Sequence, residues 1–102
     1  MNQYQVVILT SIEKFISEIP SFDKEKILAS IACIQEGDFQ SVYIKTLKSP
    51  IKELIVKKYR LIFFIDGKII YFIGAFIKKT AKTPRIEIGN AQNIYHIIKN
   101  NN

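Results

Sequence analysis

The chain has 102 residues, of which 48% are hydrophobic, one is a cysteine (Cys33) and one is a histidine (His96), and its formal net charge is +6. A single cysteine excludes an intramolecular disulfide, and Cys33 with His96 cannot assemble a zinc site of the ordinary ligand types. We therefore predict no metal and no cofactor. The length and the apolar fraction predict one domain over residues 1–102.

The first part of the chain predicts one strand followed by two helices. Residues 4–9 are aromatic and β-branched, which favours a strand. Residues 10–13 (Thr-Ser-Ile-Glu) have the pattern of a capping box, so a helix is predicted to begin there and to end at Pro20. Ser21 is predicted to cap a second helix. The buried stripe of that helix is predicted to be Ile27, Leu28, Ile31, Ala32 and Ile34.

The second part of the chain predicts a sheet and a last helix. Residues 42–47 show a weak extended pattern, and three clearer strands are predicted at residues 51–56, 59–65 and 68–77. Lys57-Lys58 is the predicted turn of the first hairpin. Asp66-Gly67 is that of the second, because both of its positions favour a positive φ. Thr83 is predicted to cap the last helix, which begins at Pro84 and extends over residues 84–99.

The order β-α-α-β-β-β-α predicts the α+β class, with an antiparallel sheet packed against an N-terminal helical hairpin and a C-terminal helix. Residues 61–65 and 69–73 are apolar at every position, whereas a sheet covered on one face alternates apolar and polar residues. The C-terminal helix or a partner protein is therefore expected to cover the second face. Charged residues interrupt this apolar stretch, so two strands are predicted rather than a membrane helix. A cytoplasmic location is predicted.

The positive charge is concentrated in one section of the chain. Residues 45–85 hold eleven basic and two acidic residues, whereas residues 1–44 hold three basic and six acidic ones. Such asymmetry favours a polyanionic partner, of which nucleic acid is the commonest. The alternative is that these lysines only keep the surface solvated.

The predicted strand pairing brings several of these cations together. Pairing through the second hairpin turn puts Arg60 opposite Ile73 and Lys57 opposite Phe76. Four cations are then expected at one end of the sheet: Lys57, Lys58, Lys78 and Lys79. Arg60 lies inside an apolar strand, where an arginine requires an anionic partner.

Four stretches of the sequence resemble a known family. They are residues 51–54 (Ile-Lys-Glu-Leu), 59–65 (Tyr-Arg-Leu-Ile-Phe-Phe-Ile), 74–84, which contain Phe-Ile-Lys-Lys-Thr-Ala-Lys-Thr-Pro, and lastly Glu87-Ile88 with Ala91. Over roughly residues 43–98 the chain resembles HigB-type toxins of the RelE/ParE superfamily, including the phage-derived toxin-like proteins of that branch. The resemblance implies a RelE-like fold and the toxin of a type II toxin–antitoxin system.

The resemblance also implies an activity and its residues. Such toxins cleave messenger RNA on the ribosome without a metal, by attack of the ribose 2′-hydroxyl on the neighbouring phosphate, and a cognate antitoxin protein binds them. Arg60 would stabilise the charge of the phosphorane, and Lys78 and Lys79 would act as base or phosphate contact. RNA contacts are expected from Lys52, Lys57, Lys58, Lys82 and Thr83. Ile55 stands where family members commonly have arginine, so one basic group is absent.

Two other functions remain open on the sequence. The first is a ParE-like inhibitor of DNA gyrase, which binds its target and carries no nuclease chemistry. The second is a toxin-fold protein that has lost catalysis and only binds an antitoxin. Arg60 with Lys78 and Lys79 favours the endonuclease over both.

Overall fold

A computed structural model describes residues 3–101, which form one five-stranded sheet with helices on both of its faces. The α+β class, the N-terminal helical hairpin and the C-terminal helix are confirmed. The bounds in chain order are β1 Gln5–Ile8, α1 Thr10–Ser17, α2 Ser21–Gln35, a 3₁₀ turn Phe39–Ser41, β2 Tyr43–Lys48, β3 Ile51–Val56, β4 Tyr59–Asp66, β5 Ile69–Ile77 and α3 Arg85–Asn100. Strand β2 is the weakly patterned segment, so the observed order has one strand more than predicted.

The strand order across the sheet is β1-β5-β4-β3-β2. Strands β2 to β5 form an antiparallel meander, as expected for consecutive strands joined by short turns. Strand β1 pairs with β5 in parallel, with Val6 opposite Ile70. The predicted antiparallel sheet is thus confirmed for β2 to β5, and β1 adds a parallel edge whose pairing was not predicted.

Each face of the sheet has its own hydrophobic core. Helices α1 and α2 cover the first face, which contains Leu61 and Phe63 of β4. Helix α3 covers part of the second face, where Ala91 packs with Ile62 and Phe64. We call these the α1–α2 face and the α3 face. The apolar runs of β4 and β5 are thus explained by burial on both sides, and α3 is the cover that the sequence required for the second face.

The register of β4 and β5 differs from the prediction. The turn consists of Gly67 and Lys68, with φ positive only at Gly67, and Asp66 pairs with Ile69. Glycine at the first central position is typical of a type II′ turn, which shifts the pairing by two positions relative to the prediction. An irregularity after Ile62 adds one more position. Arg60 consequently pairs with Phe76 instead of Ile73.

The helix starts and the α2 stripe also differ from expectation. No side-chain hydrogen bond caps α1, α2 or α3, so neither the capping box at residues 10–13 nor the caps at Ser21 and Thr83 form. The helices begin at Thr10, Ser21 and Arg85. In α2, Ile27, Ile31 and Ile34 are buried, whereas Leu28 and Ala32 are exposed because they lie on the next row of the helix surface.

Candidate nucleic-acid interface

Arg60 lies on the α3 face, between Ile55 of β3 and Phe76 of β5. Its side chain is only 11% exposed. The Nη1 atom donates to the carbonyl oxygens of Lys57, at 2.7 Å, and of Tyr59, at 2.9 Å. The guanidinium is therefore folded back onto its own hairpin, and the bonds of Nη1 fix its orientation.

Glu53 is the anionic partner of Arg60. It is fully buried on β3, and its Oε1 lies 3.9 Å from Nε of Arg60. Within residues 3–101, these two atoms are buried and have no hydrogen-bond partner. The other carboxylate oxygen, Oε2, accepts a hydrogen bond of 2.7 Å from the hydroxyl of Thr83. An uncompensated charge is costly in a protein interior, so each of these two ions favours the presence of the other.

The Thr83–Glu53 hydrogen bond fastens the segment between β5 and α3, residues 78–84, onto the α3 face. At the other end of this segment, the N–H of Lys78 donates to the carbonyl of Lys58 at 2.8 Å, which extends the ladder of β4 and β5 by one residue pair. Strand alternation then places Lys78 on the side of Phe76 and Arg60. The structure thus brings Arg60, Lys78 and Thr83 to one face.

Two further lysines of this segment, Lys79 and Lys82, are exposed. In the described part of the chain, neither of them nor Lys78 forms an ion pair within 4.0 Å. The segment therefore presents cations that are free to meet a polyanion from solvent.

Lys57 and Lys58 lie on the other side of the sheet. Lys57 is a turn residue with φ of 55°, and its Nζ lies 2.7 Å from Oδ1 of Asp23 on α2. Lys58 is also a turn residue, so its side chain does not follow the face of its backbone partner Lys78. Its Nζ lies 5.6 Å from the ring centre of Tyr59, which belongs to the α1–α2 face. The predicted gathering of four cations is therefore divided between the two faces, because the observed turn directs Lys57 towards Asp23.

The contacts of Asp23 shift two pKa values. Hydrogen bonds from Lys57 and then from Tyr59 lower the pKa of the Asp23 carboxyl below its ordinary value of 3.8. The Tyr59 hydroxyl donates to Oδ2 of Asp23 at 2.9 Å, and its pKa is raised, first by burial and then by this bond. The group ties α2 to the β3–β4 hairpin and gives Lys57 a structural partner.

Lys52 also lies away from Arg60. It alternates with Glu53 along β3 and therefore belongs to the α1–α2 face. There it lines a largely apolar cavity of about 360 Å³ with Phe39, Val42, Ile44 and Ile65. Of the residues predicted to contact RNA, only Lys82 and Thr83 lie on the face of Arg60 and Lys78, and Lys79 is exposed in the same segment.

Sequence reasoning gave no functional role to Glu53, Lys45 or Lys48. Glu53 follows Lys52 in a strand that is otherwise apolar, and an acid one strand away from an arginine is a signal for a buried pair. Lys45 and Lys48 belong to β2. The alternation of apolar and polar residues in this strand is too weak to indicate which residues face α3. In residues 3–101, the side chains of His, Cys, Asp and Glu form no group of three or more that could hold a metal ion.

The meander, the helical hairpin on one face and the helix on the other are consistent with a RelE-like fold. The family model for phage-derived protein Gp49-like (DUF891) matches residues 14–96. The chain belongs to this family, which is one of RelE/HigB-like toxins, and such a toxin family implies an antitoxin partner. A search of curated proteins gives no match. Among residues 3–101, no helix is long and apolar enough to cross a membrane.

Proposed function

We propose that the protein is the toxin of a type II toxin–antitoxin pair of the HigB branch and cleaves messenger RNA on the ribosome. The observation that carries the proposal is the joining of Arg60 and the cationic segment 78–84 on one face by the Thr83–Glu53 hydrogen bond. Positive groups that are fixed before the substrate arrives stabilise developing phosphorane charge without reorganisation. Because ribosomes work in the cytoplasm, the proposed activity is cytoplasmic.

The proposed reaction needs groups of the RNA, groups of this face and water. The ribose 2′-oxygen forms a bond to the neighbouring phosphorus and gives its proton to the base, while the bond to the 5′-oxygen breaks and that oxygen takes a proton from water. The products are a 2′,3′-cyclic phosphate and a 5′-hydroxyl. Lys79 and Lys78 act as base or phosphate contact, and Arg60 stabilises the phosphorane. Arg60 uses Nη2 for this, because Nη1 is bonded to the hairpin carbonyls and Nε is buried beside Glu53.

Expression of the protein without an antitoxin tests the proposal. We expect growth arrest and cleavage of translated messages, and we expect Arg60→Ala with Lys79→Ala to relieve both. Because Arg60 is buried, the variant Lys78→Ala with Lys79→Ala is made in parallel, and thermal melting verifies that each variant folds. The matched control is Lys14→Ala with Lys68→Ala, which removes two exposed lysines outside segment 78–84 and stays toxic. Growth arrest with intact messages and altered DNA supercoiling would instead indicate a gyrase inhibitor.

A second candidate function is an antitoxin-binding protein without nuclease activity. It is favoured by the burial of Arg60 beside the negative Glu53 and by Ile55, which is paired directly with Arg60. An arginine at position 55, as the resembling toxins commonly have, would add a cation to this row of the sheet. If the protein binds its antitoxin and leaves messages intact, and Ile55→Arg produces cleavage, this second function is correct.

A further inference from the structure

A groove runs between strand β2 and the first half of α3, beyond the part of the sheet that α3 covers. It consists of two adjoining hollows of about 270 and 380 Å³, both of which Ile88 lines. We call it the β2–α3 groove. Its cations are Lys45, Lys48, Lys82 and Arg85.

Among residues 3–101, the four cations of the groove have no carboxylate partner within 4.0 Å, a property that they share with Lys78 and Lys79 of the neighbouring segment. All four are exposed. Lys57 and Lys99, by contrast, have carboxylate partners at 2.7 and 3.2 Å. Four unpaired cations along one groove repel one another, so an anionic chain lying between them is stabilised.

The groove leads to the face that holds Arg60. Lys45 pairs with Glu53 across the strands, and Lys48 pairs with Ile51, a residue of the α3-face core. Paired residues share a face, so both lysines point to the α3 side. Lys82 precedes Thr83, whose hydroxyl contacts Glu53. The cations therefore form a continuous path that ends beside the Glu53–Arg60 pair.

An exposed aromatic residue of β2 lies beyond Lys45, in the cross-strand row of Arg60. Tyr43 is 77% exposed, and it pairs with Ile55, which itself pairs with Arg60. Strand alternation gives Tyr43 the same face as Lys45. Proteins that bind single-stranded nucleic acid combine a cationic groove for the backbone with aromatic side chains on which bases stack.

We propose that the β2–α3 groove binds single-stranded RNA, with the cations on consecutive phosphates and a base stacked on Tyr43. The inference rests on the proposed function, because it supplies the path by which the message reaches Arg60. An acidic protein segment would satisfy the cations equally well, but the exposed aromatic ring and the path to the reacting face favour RNA.

Binding of a short single-stranded RNA with 2′-O-methyl groups, which this chemistry cannot cleave, tests the groove. Fluorescence anisotropy is measured over a range of salt concentrations. Lys45→Gln with Lys48→Gln removes two phosphate contacts. The negative slope of log K against log salt is therefore expected to become shallower by about 1.4. Tyr43→Ala is expected to weaken binding roughly tenfold at every salt concentration and to leave the slope unchanged.

The matched control is Lys14→Gln with Lys68→Gln, two exposed lysines outside the groove, which removes the same net charge. The proposal that this groove binds RNA is contradicted if the control makes the slope as shallow as the groove variant does. It is also contradicted if the wild-type protein does not bind the RNA. It is also overturned if an oligoglutamate peptide binds with a slope that depends on Lys45 and Lys48 while the RNA does not bind. That result would assign the groove to an acidic protein segment.

A separate cleavage assay on translated messages keeps the two proposals distinguishable. If the protein binds RNA through the groove but leaves messages intact, the proposed function is contradicted and the RNA-binding role of the groove is supported. A protein that cleaves messages, and whose groove variants bind RNA as the wild type does, contradicts the groove alone.

Discussion

The two faces of the sheet are built from alternate residues of the same strands, yet their charged residues are arranged differently. On the α1–α2 face the helices cover an apolar surface, and at its margin Lys57 is paired with Asp23, whereas Lys52 and Lys58 have no carboxylate within 4.0 Å among residues 3–101. On the α3 face the helix covers only part of the sheet, and beyond it lie the buried pair of Glu53 and Arg60 and the cationic groove. One sheet thus provides a face for stability and a face that can bind a polyanion.

The largest expected effect compares neighbouring residues of β4 that point to opposite faces. Phe63 packs against Phe72 on the α1–α2 face, and Phe64 packs against Tyr71 and Tyr95 on the α3 face. Both phenylalanines are fully buried. We expect Phe63→Ala and Phe64→Ala each to lower the free energy of unfolding by about 3–5 kcal/mol, measured by urea denaturation. A loss below about 1 kcal/mol for Phe64→Ala would contradict the packing of α3 as an integral part of the fold.

The buried ion pair gives the next largest effect. Arg60→Met leaves the Glu53 carboxylate buried without its cation, and we expect a loss of about 3 kcal/mol in the free energy of unfolding. Adding Glu53→Gln removes the unpaired charge and should recover most of that loss, as a double-mutant cycle in urea measures. Equal and additive losses would mean that the two groups do not interact.

The hydrogen bond that fastens segment 78–84 has a smaller expected effect. Thr83→Val keeps the shape of the side chain but leaves Oε2 of Glu53 without its donor. We expect thermal or urea unfolding to show a loss of roughly 1–3 kcal/mol. Thr80→Val is the matched control, since Thr80 is exposed and donates only to the carbonyl of Lys82, 2.7 Å away in the same segment. Similar values for the two variants would argue against a special role of the Thr83–Glu53 bond.

The smallest expected effect depends on pH and tests the margin of the α1–α2 face. The pKa of Asp23 is lowered in the folded protein, so its stabilising contribution is present above its ordinary value of 3.8 and is lost as the pH falls through the folded-state value. Asp23→Asn removes this contribution. We expect the free energy of unfolding of the wild type to fall more steeply below about pH 5 than that of the variant. Parallel curves would contradict the lowered pKa.

Local sequence patterns predicted where strands and turns lie in the chain better than they predicted which strands pair with each other. Strand β3 and the turn Lys57-Lys58 were predicted to the residue, because β-branched residues and a change of period mark them directly. The parallel pairing of β1 with β5 was not predicted, since the partner of a strand is decided by packing across the whole chain. The surplus of apolar residues in β4 and β5 did predict that the second face is covered.

The candidate site was predictable in its residue types but not in its geometry. Arg60 inside an apolar strand predicted an anionic partner, and Glu53 provides it. The type II′ turn at Gly67 and the irregularity after Ile62 moved the register, and no local signal distinguished them from a regular hairpin with a type I′ turn. Thr83 before proline has the pattern of a helix cap, but the buried carboxylate takes its hydroxyl instead.

The parallel pairing of β1 has a consequence for the order in which the molecule assembles. During synthesis β1 leaves the ribosome before the other four strands, but its partner β5 ends at Ile77, so β1 cannot be incorporated until the chain through Ile77 has emerged. The hairpins of β2 to β5 are local and close early, whereas β1 must close a long loop. Until β1 pairs with it, the outer edge of β5 has backbone N–H and C=O groups without hydrogen-bond partners, and these can pair with another nascent chain.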